Sequence, residues 1–213
     1  MGLFTGIYRA EIVNFVSIVM VPGLLCTDDL YRDQIAALAG HPIQIADTTS
    51  DASVTAMAEG VLADAPDKFA LCGLSMGGYV ALEVLRLAPE RVLAAALMAT
   101  SHRADTPEQT AMRHQLIATA RDEGIEAVAR VLCERLVAPV TASATLRERI
   151  VQMAAAIGVE GFVRQQQAII DRPDQSDRLS TIKVPVTIVA GEADAIIPPE
   201  RAREMAAAIP GAR

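Results

Sequence analysis

The stretch that most constrains this chain is "FALCGLSMGGYVALEVL", Phe69 to Leu85. An apolar run of strand length tightens into Gly73-Leu74-Ser75-Met76-Gly77-Gly78 and leaves as an apolar run of helical period. A Gly-x-Ser-x-Gly at a strand-to-helix joint fits a nucleophile elbow. A serine on so sharp a turn takes a strained backbone conformation, so Gly73 and Gly77, two residues to either side, must be small to avoid a clash. The helix that begins at Met76 then points free N–H groups and the positive end of its dipole at any oxyanion formed beside Ser75. The bland alternative is a glycine-rich turn that only lets helix and strand pack closely. A phosphate-binding loop does not fit, because there is no Gly-Lys-Ser/Thr and no Gly-x-Gly-x-x-Gly.

The rest of the chain repeats the alternation of strand and helix. "FVSIVMV" (Phe15–Val21) reads as a first strand, followed by the turn Pro22-Gly23. Asp28 or Asp29 can cap a helix that runs to about Leu38 and ends at Gly40. "PIQIAD" is a second short strand, and Ser53 caps a helix running to about Ala63. "KFALCGL" and "VLAAALMAT" are the third and fourth strands, with a helix from Met76 to Leu87 between them. "VPVTIVAG" (Val184–Gly191) is the fifth, followed by a helix from about Pro199 to Ala208. Strands apolar on both faces and alternating with helices imply an α/β fold whose parallel sheet is covered on both sides. From about Thr106 to Asp177 the pattern is helical only, with breaks near Gly124, Pro139, Gly158 and Pro173. Such an insertion between two strands reads as a cap over the C-terminal edge of the sheet, where ligands bind in open α/β sheets. The expected organisation is a core over 1–105, a cap over 106–177 and the remainder of the core over 178–213.

Composition narrows the partners. With 52% hydrophobic and 21% charged residues, the 213-residue chain has a packed core and is not disordered. Only 3% of residues are aromatic and there is no Trp, so that core must be made of Ala, Val, Leu and Ile. A net charge of −7 argues against a nucleic-acid footprint. Cys26, Cys72 and Cys133 share no metal-like spacing and read as small buried hydrophobes in a reducing compartment. "IVNFVSIVMV" is apolar, but at about ten residues it is too short to span a bilayer. It is also preceded by Glu11, ended by Pro22 and followed by no small-residue cleavage site. Met1-Gly2 lacks the Ser or Thr that myristoylation wants, since position six is Gly6. A cytoplasmic protein without membrane or nucleic-acid partners is therefore expected.

With these features assembled, the sequence from about Phe15 onward resembles the α/β-hydrolase superfamily, in particular its small capped esterase-like members. "VPGLLCTDDLYRDQIAAL" is similar to the family's oxyanion-loop segment, with Pro22-Gly23 where His-Gly is commoner. The resemblance implies that Leu24 offers one backbone N–H to the oxyanion and Met76 the other, with Leu25 a possible substitute for Leu24. "VTIVAGEADAIIPPERAREMAAAIPGA" is similar to the family's acid-bearing turn, which places the triad acid at Asp194, between Gly191 and Pro198. A turn-forming role for Asp194 is the plain alternative. The implied activity is serine-dependent hydrolysis of a small carboxylic ester, with no metal or organic cofactor. Acyltransferases, haloperoxidases and C–C bond hydrolases share the fold.

One part is missing. The family order is Ser, acid, His, and no histidine follows Asp194. His41 belongs to the wrong edge of the sheet, His114 lies in the cap, and His102 follows the fourth strand on the correct edge. The expectation is a sheet lacking its last strand and helix, with the first two strands reduced to one degenerate strand or a disordered extension over 1–14. Three explanations stay open: a truncated hydrolase, a ligand-binding paralogue without turnover, or a base supplied by another subunit. Loss of the last strand would bare a sheet edge and make a homodimer possible.

Overall fold

The computed structural model describes residues 15–138 and 140–213. Five strands, β1 (Ile18–Val21), β2 (Ile43–Ile45), β3 (Phe69–Leu74), β4 (Val92–Met98) and β5 (Val186–Val189), form one sheet in the order β2-β1-β3-β4-β5. Every neighbouring pair is parallel. The strands are linked by α1 (Arg32–Ala37), α2 (Val54–Asp64) and α3 (Met76–Leu87), while α4 (Pro107–Glu123), α5 (Ile125–Leu136) and α6 (Ala144–Ile170) lie between β4 and β5. A final helix, α7 (Pro199–Ala208), follows β5.

The chain leaves β1 toward β2 on one side and reaches β3 and β4 on the other. The order therefore reverses between β1 and β3, so the loops that follow these two strands diverge and open a crevice at their C-terminal ends. This reversal places the site. Helix α3 runs behind it and is buried from Met76 to Leu85, as a helix covered by both sheet and neighbours must be. Its one buried charge, Glu83, is matched by Arg86 at 2.8 Å and by the Thr55 hydroxyl, which donates at 2.7 Å. Around the sheet, Val19, Phe69, Leu71, Val80, Leu97, Met205 and Ile209 belong to one continuous apolar cluster.

The helical segment has a second apolar cluster, in which Ile117, Ile125, Val128 and Phe162 surround Leu25, a residue of the loop after β1. Helix α4 starts with a capping box: the Thr106 hydroxyl accepts from Gln109 N–H at 3.3 Å, and Gln109 Oε1 accepts from Thr106 N–H at 2.9 Å. Gly124 at φ 89° separates α4 from α5, and Gly158 at φ 71° interrupts α6, so both glycine breaks lie where the sequence indicated. Helix α6 ends at Ile170, ahead of Pro173. The break expected at Pro139 and the strand or extension expected over 1–14 lie outside the described residues.

The turn after β1 is capped by Thr27, whose hydroxyl accepts from Asp29 N–H at 3.3 Å, and not by Asp28 or Asp29. Asp29 is instead drawn into ion pairs with Arg32 and, across the fold at 2.8 Å, with Arg149. Strand β1 begins at Ile18, and Phe15 ahead of it meets the His41 ring edge-on, with centroids 5.3 Å apart. At the other edge of the sheet Arg213 pairs with β5: Ile188 N–H donates to its carbonyl at 2.8 Å, and its N–H donates to Val186 O at 3.0 Å. Among the described residues no helix is long and apolar enough to cross a membrane.

Candidate active site

Ser75 occupies the joint between β3 and α3 with φ 54° and ψ −115°. A side-chain-bearing residue in this region costs on the order of 1–3 kcal/mol, which the surroundings must hold in place. They do so through its own peptide groups. Ser75 N–H donates to Met98 O at 2.8 Å, and Ser75 O accepts from Gly78 N–H at 2.9 Å and from the Thr100 hydroxyl at 2.8 Å. The neighbouring glycines are required by contact. A Cβ on Gly77 would lie 2.0 Å from Val21 O, and one on Gly73 would lie 2.4 Å from Gly77 O. Gly78 is equally constrained, with a Cβ there 2.3 Å from Thr100 Oγ1. Met76 is the first helical residue, so its N–H has no partner within α3.

The loop after β1 faces this elbow. Leu25 has φ 58°, and its N–H donates to the buried side chain of Gln165 at 3.0 Å. Gln165 in turn donates to Thr48 Oγ1 at 3.2 Å, so α6 holds the loop from outside. Leu25's N–H is therefore taken, while Leu24's has no protein acceptor among the described residues. Leu24, Gly23, Leu74 and Ser75 line one cavity of about 270 Å³, closed on its other sides by α4, α5, α6 and the Ile196–Pro198 segment. Ala99, at the end of β4, is the third non-glycine residue with positive φ among the described residues, at 43°. All three strained residues thus follow the C-terminal ends of adjacent strands.

Asp194 lies in the turn after β5. Its Oδ1 accepts from Ile196 N–H at 2.8 Å and Ile197 N–H at 2.9 Å, and its own N–H donates to Gly191 O at 3.2 Å. The carboxylate thus shapes the segment whose next residues line the cavity, and Asp194 itself is not part of the wall. His102 is nearly buried, with Nε2 3.4 Å from Glu204 and Nδ1 without a partner. Burial, reinforced by Arg103, holds its pKa below the ordinary histidine value against the opposing pull of Glu204. It borders a separate small void with Tyr79 and Arg172 and does not line the cavity that contains Ser75. His41 is tied to Val16 O at 3.0 Å beside β2, and His114 is exposed on α4. Among the described residues no histidine lines the cavity.

Cys26 does line it, but burial pushes its thiol up to about 12, so it stays protonated and is no competing nucleophile. Among the described residues, no group of three or more His, Cys, Asp or Glu side chains is arranged to hold a metal ion. Sequence reasoning missed a polar cluster deep in the cavity: Asp105, Arg113, Gln166 and Arg172. Arg113 and Arg172 both pair with Asp105, and Arg113 Nη1 donates to Gln166 Oε1 at 3.0 Å. These residues come from the loop before α4, from α4, from α6 and from the segment just after α6, and no spacing in the chain links them.

A parallel sheet with a strained serine at its order reversal, beside two free backbone N–H groups, defines a hydrolase-type α/β fold. Residues 18–213 match the profile of the alpha/beta hydrolase family, and the chain belongs to that family. Among solved structures it is similar to a thermophilic esterase from Thermogutta terrifontis, determined with malate bound. The two are 27% identical with a TM-score of 0.83, over 93% of this chain and 79% of that one. It is also similar to the enol-lactonase from Burkholderia xenovorans LB400, at 25% identity and a TM-score of 0.84, over 94% and 82% of the two chains. MenH from S. aureus shares the fold at 21% identity and a TM-score of 0.81, over 97% and 86%. No match was found among curated protein sequences.

Proposed function

We propose that this chain carries the site of a serine hydrolase acting on a small carboxylic ester. The observation that carries the reading is Ser75 itself: a positive-φ serine on the wall of a cavity that Leu24 also lines, followed directly by the free N–H of Met76 at the start of α3. Ser75 Oγ would attack the ester carbonyl carbon, the carbonyl electrons moving onto oxygen, where the two N–H groups stabilise the developing charge. The alkoxide then leaves, and water releases the acyl group from Ser75. Asp194 would orient the histidine that accepts the Oγ proton. That histidine is not in these 213 residues by family order. Helices α4–α6 would act as the cap, and a cytoplasmic location and a homodimer belong to the same proposal. An esterase and an enol-lactonase among the similar structures support ester-bond chemistry, since a lactone is a cyclic ester.

A second reading, small-ligand binding without turnover, is favoured by one observation: no histidine lines the cavity among the described residues. An activated aryl ester separates the two. The 213-residue chain should turn it over orders of magnitude below the roughly 10 s⁻¹ of a typical enzyme, and His102→Ala should change nothing. Extending the chain after Arg213 with a strand, a histidine-bearing loop and a helix should raise the rate and make it wholly dependent on Ser75. If the extended protein gains no Ser75-dependent turnover, the binding reading replaces the hydrolase. If the unextended chain is fast and both Ser75→Ala and His102→Ala abolish the rate, His102 is the base.

A further inference from the structure

The chain carries a net charge of −7, yet the charged side chains lining the cavity are Arg103, Arg113, Arg135, Arg172 and Arg201 against a single acid, Asp105. At the rim the excess is partly answered: Arg103 lies 3.0 Å and Arg201 2.8 Å from Glu204. Deeper in, it is not. The Asp105 carboxylate is 1% exposed and receives both Arg113 and Arg172, so two buried or half-buried guanidiniums share one negative charge. A local surplus of one positive charge in a largely dehydrated place is costly unless a partner arrives.

Arg172 is held at two of its three nitrogens. Its Nε donates to Arg103 O at 3.0 Å, its Nη1 to Asp105 at 2.7 Å and to Ile169 O at 2.8 Å, and it sits 4.2 Å from the centre of the Tyr79 ring. Arg113 uses its Nε and, at 3.4 Å, its Nη2 on Asp105 and its Nη1 on Gln166, which leaves one N–H on each terminal nitrogen of a side chain that lines the cavity. Gln166 is the sharper observation. It is 0% exposed, and its Nε2 has no hydrogen-bond partner. The orientation of the amide is settled by Arg113: a guanidinium has no acceptor, so the amide oxygen must face it and the NH₂ must face away. The adjacent Gln165, also 0% exposed, has partners at both ends. Burying an unsatisfied donor forfeits stability unless something occupies it.

We infer that Gln166 Nε2 and Arg113 form a carboxylate-binding subsite, and that the ester taken by this cavity bears a free carboxylate on its acyl or alcohol side. A carboxylate oxygen supplies the acceptor that Gln166 lacks, and its charge answers the surplus guanidinium with charge-assisted hydrogen bonds. A neutral carbonyl would supply only the first. The ester half of this inference rests on the serine-hydrolase reading; the carboxylate subsite does not.

The test compares monomethyl succinate, a half-ester with one carboxylate, with dimethyl succinate, its neutral counterpart, by calorimetry and thermal shift on the Ser75→Ala protein, where no turnover interferes. The half-ester is expected to bind at least about 10-fold more tightly. Gln166→Leu and Arg113→Met should each remove that preference. Gln166→Glu, which supplies the missing negative charge, should raise the melting temperature and abolish half-ester binding. Equal affinity for half-ester and diester overturns the inference, and needs no variant of the subsite to fold. So does a preference that survives both Gln166→Leu and Arg113→Met. The two readings fail separately. A carboxylate preference without any Ser75-dependent turnover in the extended chain sinks the hydrolase and leaves the subsite standing. Ser75-dependent turnover without the preference does the reverse.

Discussion

Gly77 and Gly73 show why the elbow tolerates no side chain. A Cβ at Gly77 would sit 2.0 Å from the carbonyl oxygen of Val21, and one at Gly73 would sit 2.4 Å from that of Gly77. Backbone cannot step aside as a flexible side chain can, so either clash must displace β1 or α3. Gly77→Val and Gly73→Val are each expected to cost about 3 kcal/mol, lowering the melting temperature by roughly 6–12 °C in a chain of this size. Gly60, on α2, makes the contrast: nothing lies within 4 Å of its would-be Cβ. Gly60→Ala should be neutral or stabilise by up to about 1 kcal/mol. Differential scanning calorimetry on the three variants checks both signs, and an unchanged Gly77→Val would mean that the elbow is not held as described. The motif around Ser75 was legible because its spacing is local, although the contact that requires Gly77, with Val21 O of β1, is not. Gly78 was not singled out, since its reason is Thr100, a residue one strand away.

At the scale of elements, α6 does more than cover the cavity. Through Gln165 it reaches the loop after β1 and occupies the N–H of Leu25, leaving that of Leu24 free. Gln165→Leu removes the acceptor and strands a buried N–H, at a cost of about 1–3 kcal/mol. Amide exchange read by NMR should show Leu25 losing protection in that variant, with a fall of several degrees in melting temperature. Full protection of Leu25 would show that the loop keeps its shape without α6. The boundaries of α3 and α7 were readable from the sequence because a turn or a proline starts each and the apolar period continues to its end. The cap of the first turn was misread: Asp28 and Asp29 are as suitable in type as Thr27, but Arg32 and, from α6, Arg149 draw Asp29 into ion pairs instead. A residue 120 positions away leaves no local trace.

For the molecule as a whole, stability should fall on acidification in two stages. His102 has its folded pKa held below its ordinary value of 6.5 by burial. The unfolded chain therefore takes up that proton first, and stability declines as pH drops below about 6.5. Glu83, held below its ordinary 4.5 chiefly by Arg86, contributes stability in full above that value and loses it as pH falls further. Melting temperature measured against pH should show the first slope vanish in His102→Gln and the second flatten in Glu83→Gln; a first slope unchanged in His102→Gln would assign it elsewhere. The sequence alone determined the parallel sheet, the helical segment between β4 and β5, and the serine at a strand–helix joint. Those features follow from periodicity and from steric demands between near neighbours, which a chain cannot hide. Only the tertiary structure decided that Leu24 has the free N–H, that His102 does not line the cavity containing Ser75, and that Asp105, Arg113, Gln166 and Arg172 meet in one cavity. Charge balance and hydrogen-bond satisfaction are settled between groups far apart in the chain, and they exist only once the order reversal of the sheet has brought those groups together.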